Sequence, residues 1–214
     1  MTYELKNIDG YNLVLIDGRL FLIDTGAPSI LTNSVVINGI SFNEISFNEI
    51  NNQRALSSLK NTFNTDVELI GVDILRSLGT ITVNKINNTV TFGNSSITPI
   101  HSLKINSDLT GEVVFNGIIT KAFFDTGAPK FVASERLLAG AKYLRDTIEP
   151  TMNGPVNTKE YESEIEIDGV KKIVSSLLHT NNMPGYMYEL FVSINILSDK
   201  YYIIDFNKMK ILFE

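Results

Sequence analysis

The chain repeats itself, and internal repetition constrains a fold more tightly than any local pattern. Residues 13–28 read LVLIDGRLFLIDTGAP and residues 114–129 read VFNGIITKAFFDTGAP, sharing the pentapeptide DTGAP. Asp24 and Asp125 stand 101 positions apart in a chain of 214, close to half its length. In each copy an apolar run, a short turn and a second apolar run lead into the DTG. Those turns are Asp17-Gly18 and Asn116-Gly117, and Asx-Gly between apolar runs is a strong hairpin signal. A second matched block follows downstream, ELIGVDILRSLGTITVNKINNTVTF at 68–92 and ELFVSINILSDKYYIIDFNKMKILF at 189–213. Each passes from an apolar strand through a short helical turn into two more strands.

The copies differ in spacing and in one small residue. From Asp24 to Gly71 is 47 positions, and from Asp125 to the matching Ser193 is 68. The second copy therefore carries about 21 extra residues, placed between Phe131 and Tyr161. Elsewhere short alternating apolar runs bounded by Gly, Asn and Asp recur at close spacing, which predicts an all-β sandwich or barrel with a few short helices. Helical pattern is confined to Ala133–Leu144, with Ser134 as N-cap, and to Gln53–Lys60 and Val72–Leu78. The tandem ISFNEISFNEI over Ile40–Ile50 predicts an edge strand or loop with solvated Glu44 and Glu49. The Asn-, Ser- and Thr-rich stretch Gly93–Gly111 separates the copies. This divides the chain into an N-terminal lobe, 1–96, a linker, 97–110, and a C-terminal lobe, 111–214.

Composition narrows the chemistry available. There is no Cys, which removes thiol nucleophiles, disulfides and thiolate metal sites. Only His101 and His179 are present, too few for a multi-His metal cage, and both are expected to be solvated. No metal or cofactor is expected, and carboxylates are left as the carriers of any reaction. The net charge of -6 argues against a nucleic-acid partner. No apolar run approaches the ~20 residues that span a bilayer, so no membrane association is expected. The start MTYELKNIDGYN lacks the basic and apolar regions of a signal peptide, which predicts a cytoplasmic location.

Two DTG loops can do something that one cannot. A single DTG is ordinary turn chemistry. A carboxylate among Leu22, Phe123 and Phe124 is costly to bury without a partner, and two such loops about a pseudo-twofold supply each other's. Thr offers a hydroxyl that can bond across to the other loop, and Gly permits close backbone approach. Two carboxylates ~3 Å apart repel by about 5 kcal/mol at an effective dielectric of ~20. That is about four pK units, so the pair retains one proton over a wide pH range. The ionised oxygen can then take a proton from water while the protonated one donates to a carbonyl, which is amide hydrolysis without Ser, Cys or metal.

These residues resemble the aspartic peptidases, above all their retroviral-type, retropepsin-like branch, for which one-proton sharing is the usual illustration of a coupled pair. DTGA occurs in both copies, and Leu69-Ile70-Gly71 followed by Val72-Asp73-Ile74-Leu75 matches the family's apolar-apolar-Gly strand and short helix. Retropepsins usually carry one DTG per subunit of a homodimer, whereas this chain has both, like a fused dimer or a minimal pepsin. The resemblance implies a bilobal acid-protease fold of two pseudo-twofold-related β lobes and a monomer that binds peptide or protein substrate in extended form. It implies Asp24 and Asp125 as catalytic residues. Support would come from Thr25, Gly26 and Ala27 and from Thr126, Gly127 and Ala128, with the two Thr interlocked beneath the pair.

The sequence also departs from the family. The Arg after the apolar-apolar-Gly triplet is Val72 or Ile194, and its acidic partner beyond DTGA is Pro28 or Pro129, so both ends of that ion pair are missing together. Ser193 in place of Gly predicts a modest distortion under the second loop. The 21 extra residues predict one flap, donated by the C-terminal half around Thr147–Tyr161, with Met152, Asn153 and Gly154 at its tip. Ala27 and Ala128 lack the hydroxyl that can lower a dyad pKa, which predicts an optimum at roughly pH 5–7. The competing reading is a non-catalytic peptide-binding module. A two-acid glycosidase is disfavoured because the DTG turns hold the pair too close and too symmetrically.

Overall fold

Apolar strands closed by two-residue Asx-Gly turns build most of the molecule. The computed structural model describes residues 1–45, 49–94, 97–151, 154–180 and 188–214. Strand dominates and the chain is all-β in class. The first half runs β1 (Thr2–Ile8), β2 (Tyr11–Ile16), β3 (Arg19–Asp24), β4 (Val35–Ile37), β5 (Ile40–Phe42), α1 (Glu49–Phe63), β6 (Val67–Gly71), α2 (Val72–Leu78), β7 (Thr80–Asn84) and β8 (Thr89–Phe92). The second runs β9 (His101–Lys104), β10 (Thr110–Phe115), β11 (Ile118–Asp125), β12 (Phe131–Ala133), α3 (Glu135–Leu138), β13 (Lys142–Glu149), β14 (Val156–Ile167) and β15 (Val170–Leu178). It closes with β16 (Leu190–Ser193), α4 (Ile194–Leu197), β17 (Tyr201–Asp205) and β18 (Lys210–Phe213).

The hairpins entering each DTG are alike in detail. Asp17 and Gly18 have φ of 50° and 79°, and Asn116 and Gly117 have 47° and 77°, the doubly left-handed backbone of a type I′ turn. A nine-stranded sheet has the order β6-β3-β2-β1-β8-β7-β17-β18-β9, and a seven-stranded sheet has β10-β11-β16-β12-β15-β14-β13 with β10 also pairing β14. The last two strands therefore sit in the sheet of the first half. One buried cluster runs through both halves, from Val14, Phe21 and Ile23 to Phe115, Phe124, Phe131 and Tyr202.

Three local expectations change. α1 begins at Glu49 and extends well beyond Gln53–Lys60 at both ends, so the second half of the ISFNEISFNEI tandem is not all edge strand. Its Asn- and Ser-rich sequence is a weak helix former, and packing holds it. Ala55, Leu59 and Phe63, spaced four apart, bury one stripe against Leu13, Leu22 and Leu69. Each large side chain so buried contributes about 1.5–3 kcal/mol. The expected helix over Ala133–Leu144 shrinks to α3. Gly140, at φ 82°, turns the chain, and Lys142–Leu144 open the exposed strand β13. Ser134 stands at the N-cap position, but its side chain makes no capping bond. Segment 97–110 carries β9, which pairs with β18 at the edge of the large sheet. α2 spans Val72–Leu78 as expected.

Candidate active site

Each DTG loop straddles a strand. In the first half β6 lies parallel to β3, with Asp24 opposite Gly71, and on its other side Leu69 exchanges both backbone hydrogen bonds with Ile30. In the second half β16 lies parallel to β11, with Asp125 opposite Ser193, and antiparallel to β12. The loop's two legs thus bond to both edges of one strand, which fixes the Asp at its crest.

The loops interlock across the pseudo-twofold. The Thr25 N–H donates to Thr126 Oγ1 at 3.0 Å, and the Thr126 N–H donates to Thr25 Oγ1 at 3.0 Å. Each hydroxyl in turn donates to the strand before the opposite DTG, Thr25 Oγ1 to Phe124 O at 3.0 Å and Thr126 Oγ1 to Ile23 O at 2.8 Å. Both threonines are buried, so these bonds have no competition from water.

The same interlock brings Asp24 and Asp125 together. Each carboxyl lies on the glycine of the opposite loop. A methyl built on Gly127 would overlap the Asp24 carboxyl, and one built on Gly26 would come within 2.8 Å of Asp125 Oδ2. Gly26 N–H donates to Asp24 Oδ1 and Gly127 N–H to Asp125 Oδ1, both at 2.7 Å. Burial, then the charge of Asp125, hold Asp24 well above the ordinary carboxylate range. Burial also raises Asp125, opposed first by the Gly127 N–H and then by a hydrogen bond from Asp24. The pair therefore keeps a shared proton, and one carboxyl donates it to the other. Ala27 and Ala128 offer their backbone N–H groups to Asp24 and Asp125 respectively, and no side-chain donor.

Beneath the loops the halves diverge. A Cβ on Gly71 would overlap Ala27 O and Pro28 C, so this strand needs glycine. Ser29 Oγ accepts from the Gly71 N–H and donates to Asp73 Oδ1, both at 2.7 Å, and Asp73 also accepts from the Ser29 N–H. In the second half Ser193 is fully buried, and its hydroxyl donates to Ala128 O at 2.6 Å. Strand pairing with Asp125 is retained, so the expected distortion is replaced by an added hydrogen bond. Asn195, the counterpart of Asp73, donates to Thr126 O at 2.9 Å and to Gly10 O at 3.2 Å.

A cleft of 230 Å³ opens over the two aspartates. Tyr11, Leu22, Leu59 and Phe63 form one wall, and Phe123, Val132, Leu177 and Phe191 form the other. The hairpin of β13 and β14 brings Glu149, Pro150 and Thr151 to its rim. There Ser58 of α1 donates to Thr151 O at 2.9 Å, so the hairpin meets the helix across the cleft rim. Gly154 closes the tip by exchanging bonds with Thr151, while Met152 and Asn153 lie outside the described residues. Lys130, five residues after Asp125, pairs with Glu149 at 3.4 Å and Glu160 at 3.5 Å. Among the described residues no cluster of His, Asp or Glu has the geometry of a metal site.

Neither histidine lines this cleft, but neither is simply solvated. His101 is half-buried beside Phe213, and His179 stacks on Phe191 with its backbone N–H bonded to Ala133 O. The sequence reading missed Tyr11, the reach of α1 and Lys130 as cleft residues. Of these only Tyr11 carried a local signal, as the first apolar residue after the Asp9-Gly10 turn.

No family model and no curated protein matches the chain. Among solved structures, the solution structure of Simian Foamy Virus (mac) protease is similar to 39% of this chain and 85% of that chain, at 20% identity and a TM-score of 0.31.

Proposed function

We propose that the protein is an aspartic endopeptidase in which one chain supplies both acids, Asp24 from the first half and Asp125 from the second. The observation that carries this is the buried, hydrogen-bonded carboxyl pair, each member seated on the other loop's glycine. A water held at the pair loses a proton to the ionised carboxylate. The protonated member of the pair donates its proton to the oxygen of the peptide carbonyl. Attack gives a tetrahedral intermediate, and protonation of the leaving nitrogen by the dyad completes cleavage without a covalent enzyme intermediate.

The apolar walls suit an extended peptide, with the β13–β14 hairpin as the single flap closing against α1. Because both acids lie in one chain, a monomer suffices. A mildly acidic optimum, roughly pH 5–7, is the expectation where Ala27 and Ala128 leave the dyad without hydroxyl donors. The decisive experiment tests wild type, Asp24→Asn and Asp125→Asn on a denatured protein mixture with and without pepstatin. Wild type should cleave, pepstatin should block it, and each substitution should lower the rate by about 10²–10⁴-fold. Cleavage surviving either substitution overturns the mechanism. Peptide binding without cleavage by the wild type would make the chain a binding module.

A further inference from the structure

A peptide entering this cleft leaves water with carbonyl groups that need donors, and the cleft has few to offer. Besides the dyad, the side chains of its lining that can donate are Tyr11, Ser58, Thr62, Lys130 and Thr151. Four of these are already engaged. Ser58 donates to Thr151 O, Thr62 to Ser58 O at 2.9 Å, Thr151 Oγ1 to Gly154 O at 2.7 Å, and Lys130 to Glu149. Of these five cleft side chains, Tyr11 is the one whose hydroxyl makes no hydrogen bond to the described residues.

Its placement is fixed from both halves. The Tyr11 ring meets Phe63 of α1 edge-on, with centroids 5.1 Å apart. Its neighbour Gly10 packs against Pro129 of the second DTGAP, and Gly10 O shares the Asn195 amide with Thr126 O. A residue of the first half is thus tied to the loop that carries Asp125. Burial, then the charges of Glu149, Asp125 and Asp24, raise the phenol above its ordinary range. It stays a neutral O–H donor wherever the dyad works.

We propose that Tyr11 is a substrate-binding residue whose hydroxyl donates a hydrogen bond to a backbone carbonyl of the peptide held over Asp24 and Asp125. This rests on the peptidase reading, and the two can fail separately. In Tyr11→Phe the ring and its contact with Phe63 remain and only the donor goes. The expected result is a fall in kcat/KM of about 10-fold with an unchanged melting temperature, whereas Asp24→Asn is inert. Replacing successive substrate carbonyls by methylene should find one position at which wild type and Tyr11→Phe become equal. Unchanged kcat/KM, or a loss that tracks a falling melting temperature, overturns the role of Tyr11 and leaves the dyad standing. If the wild type does not cleave, calorimetric titration of the same peptide decides. Binding about 10-fold weaker in Tyr11→Phe supports the contact. Equal binding, or none, overturns it.

Discussion

The two DTG loops are matched above and mismatched below. Their upper faces, with paired acids and crossed threonines, are related residue by residue. Underneath, a hydroxyl has changed sides. In the first half the loop supplies it, as Ser29 accepting from the strand's Gly71 N–H and donating to Asp73. In the second half the strand supplies it, as Ser193 donating to the loop's Ala128 O. The surfaces that must meet across the pseudo-twofold have stayed alike, because each threonine's partner is the other loop. The hydroxyls of the undersides, Ser29 and Ser193, bond only within their own half and are free to satisfy buried backbone groups in different ways.

That contrast can be broken most directly by exchanging the undersides. Gly71→Ser places a side chain onto the backbone at Ala27 and Pro28, and should cost about 3 kcal/mol and most of the activity. Ser193→Gly loses one buried hydrogen bond and adds chain entropy, for about 1–2 kcal/mol, with cleavage retained. Denaturant midpoints and peptide turnover measure both, and equal costs would dissolve the distinction. The matched face makes the opposite forecast. Thr25→Val and Thr126→Val each strand the opposite N–H and a strand carbonyl, so each should cost about 2–3 kcal/mol. A difference above about 1 kcal/mol between them would show that the grip is not symmetric.

The smallest expected effect is a gain. Both aspartates have folded pKa values raised above the unfolded ~3.9, so their favourable contribution to stability is complete below that value. It is lost as pH rises through the folded values. Asp24→Asn or Asp125→Asn should therefore melt slightly higher than wild type at pH 7, and the advantage should vanish near pH 3. Thermal melts across that range test the sign, and a variant less stable at pH 7 would mean that the pair is not strained by burial.

What could be seen in the sequence follows from the same contrast. The duplication, the β class and the residues of the matched face were readable because symmetry states each feature twice. Gly71 was readable, but the compensation at Ser193 was not, since a hydroxyl's partner depends on a carbonyl 65 residues away. α1 was underestimated because its helix is set by packing on β6 and not by propensity. The start of β13, Lys142–Leu144, falls within the expected helix because Leu137, Leu138, Ala141 and Leu144 keep helical spacing. Gly140 breaks that run, and a strand with both faces exposed has no alternation to reveal it. β9 hid in a polar segment because its partner, β18, lies at the far end of the chain.

The placing of β17 and β18 ties the folding of the first half to that of the second. β17 pairs Tyr201 with Asn84 and Asp205 with Thr80, so one edge of β7 stays open until Tyr201–Asp205 reaches it. The first half resembles a finished module in sequence, yet its sheet is completed by strands from the second half. Such distant pairings carry a large loop-closure cost and slow folding.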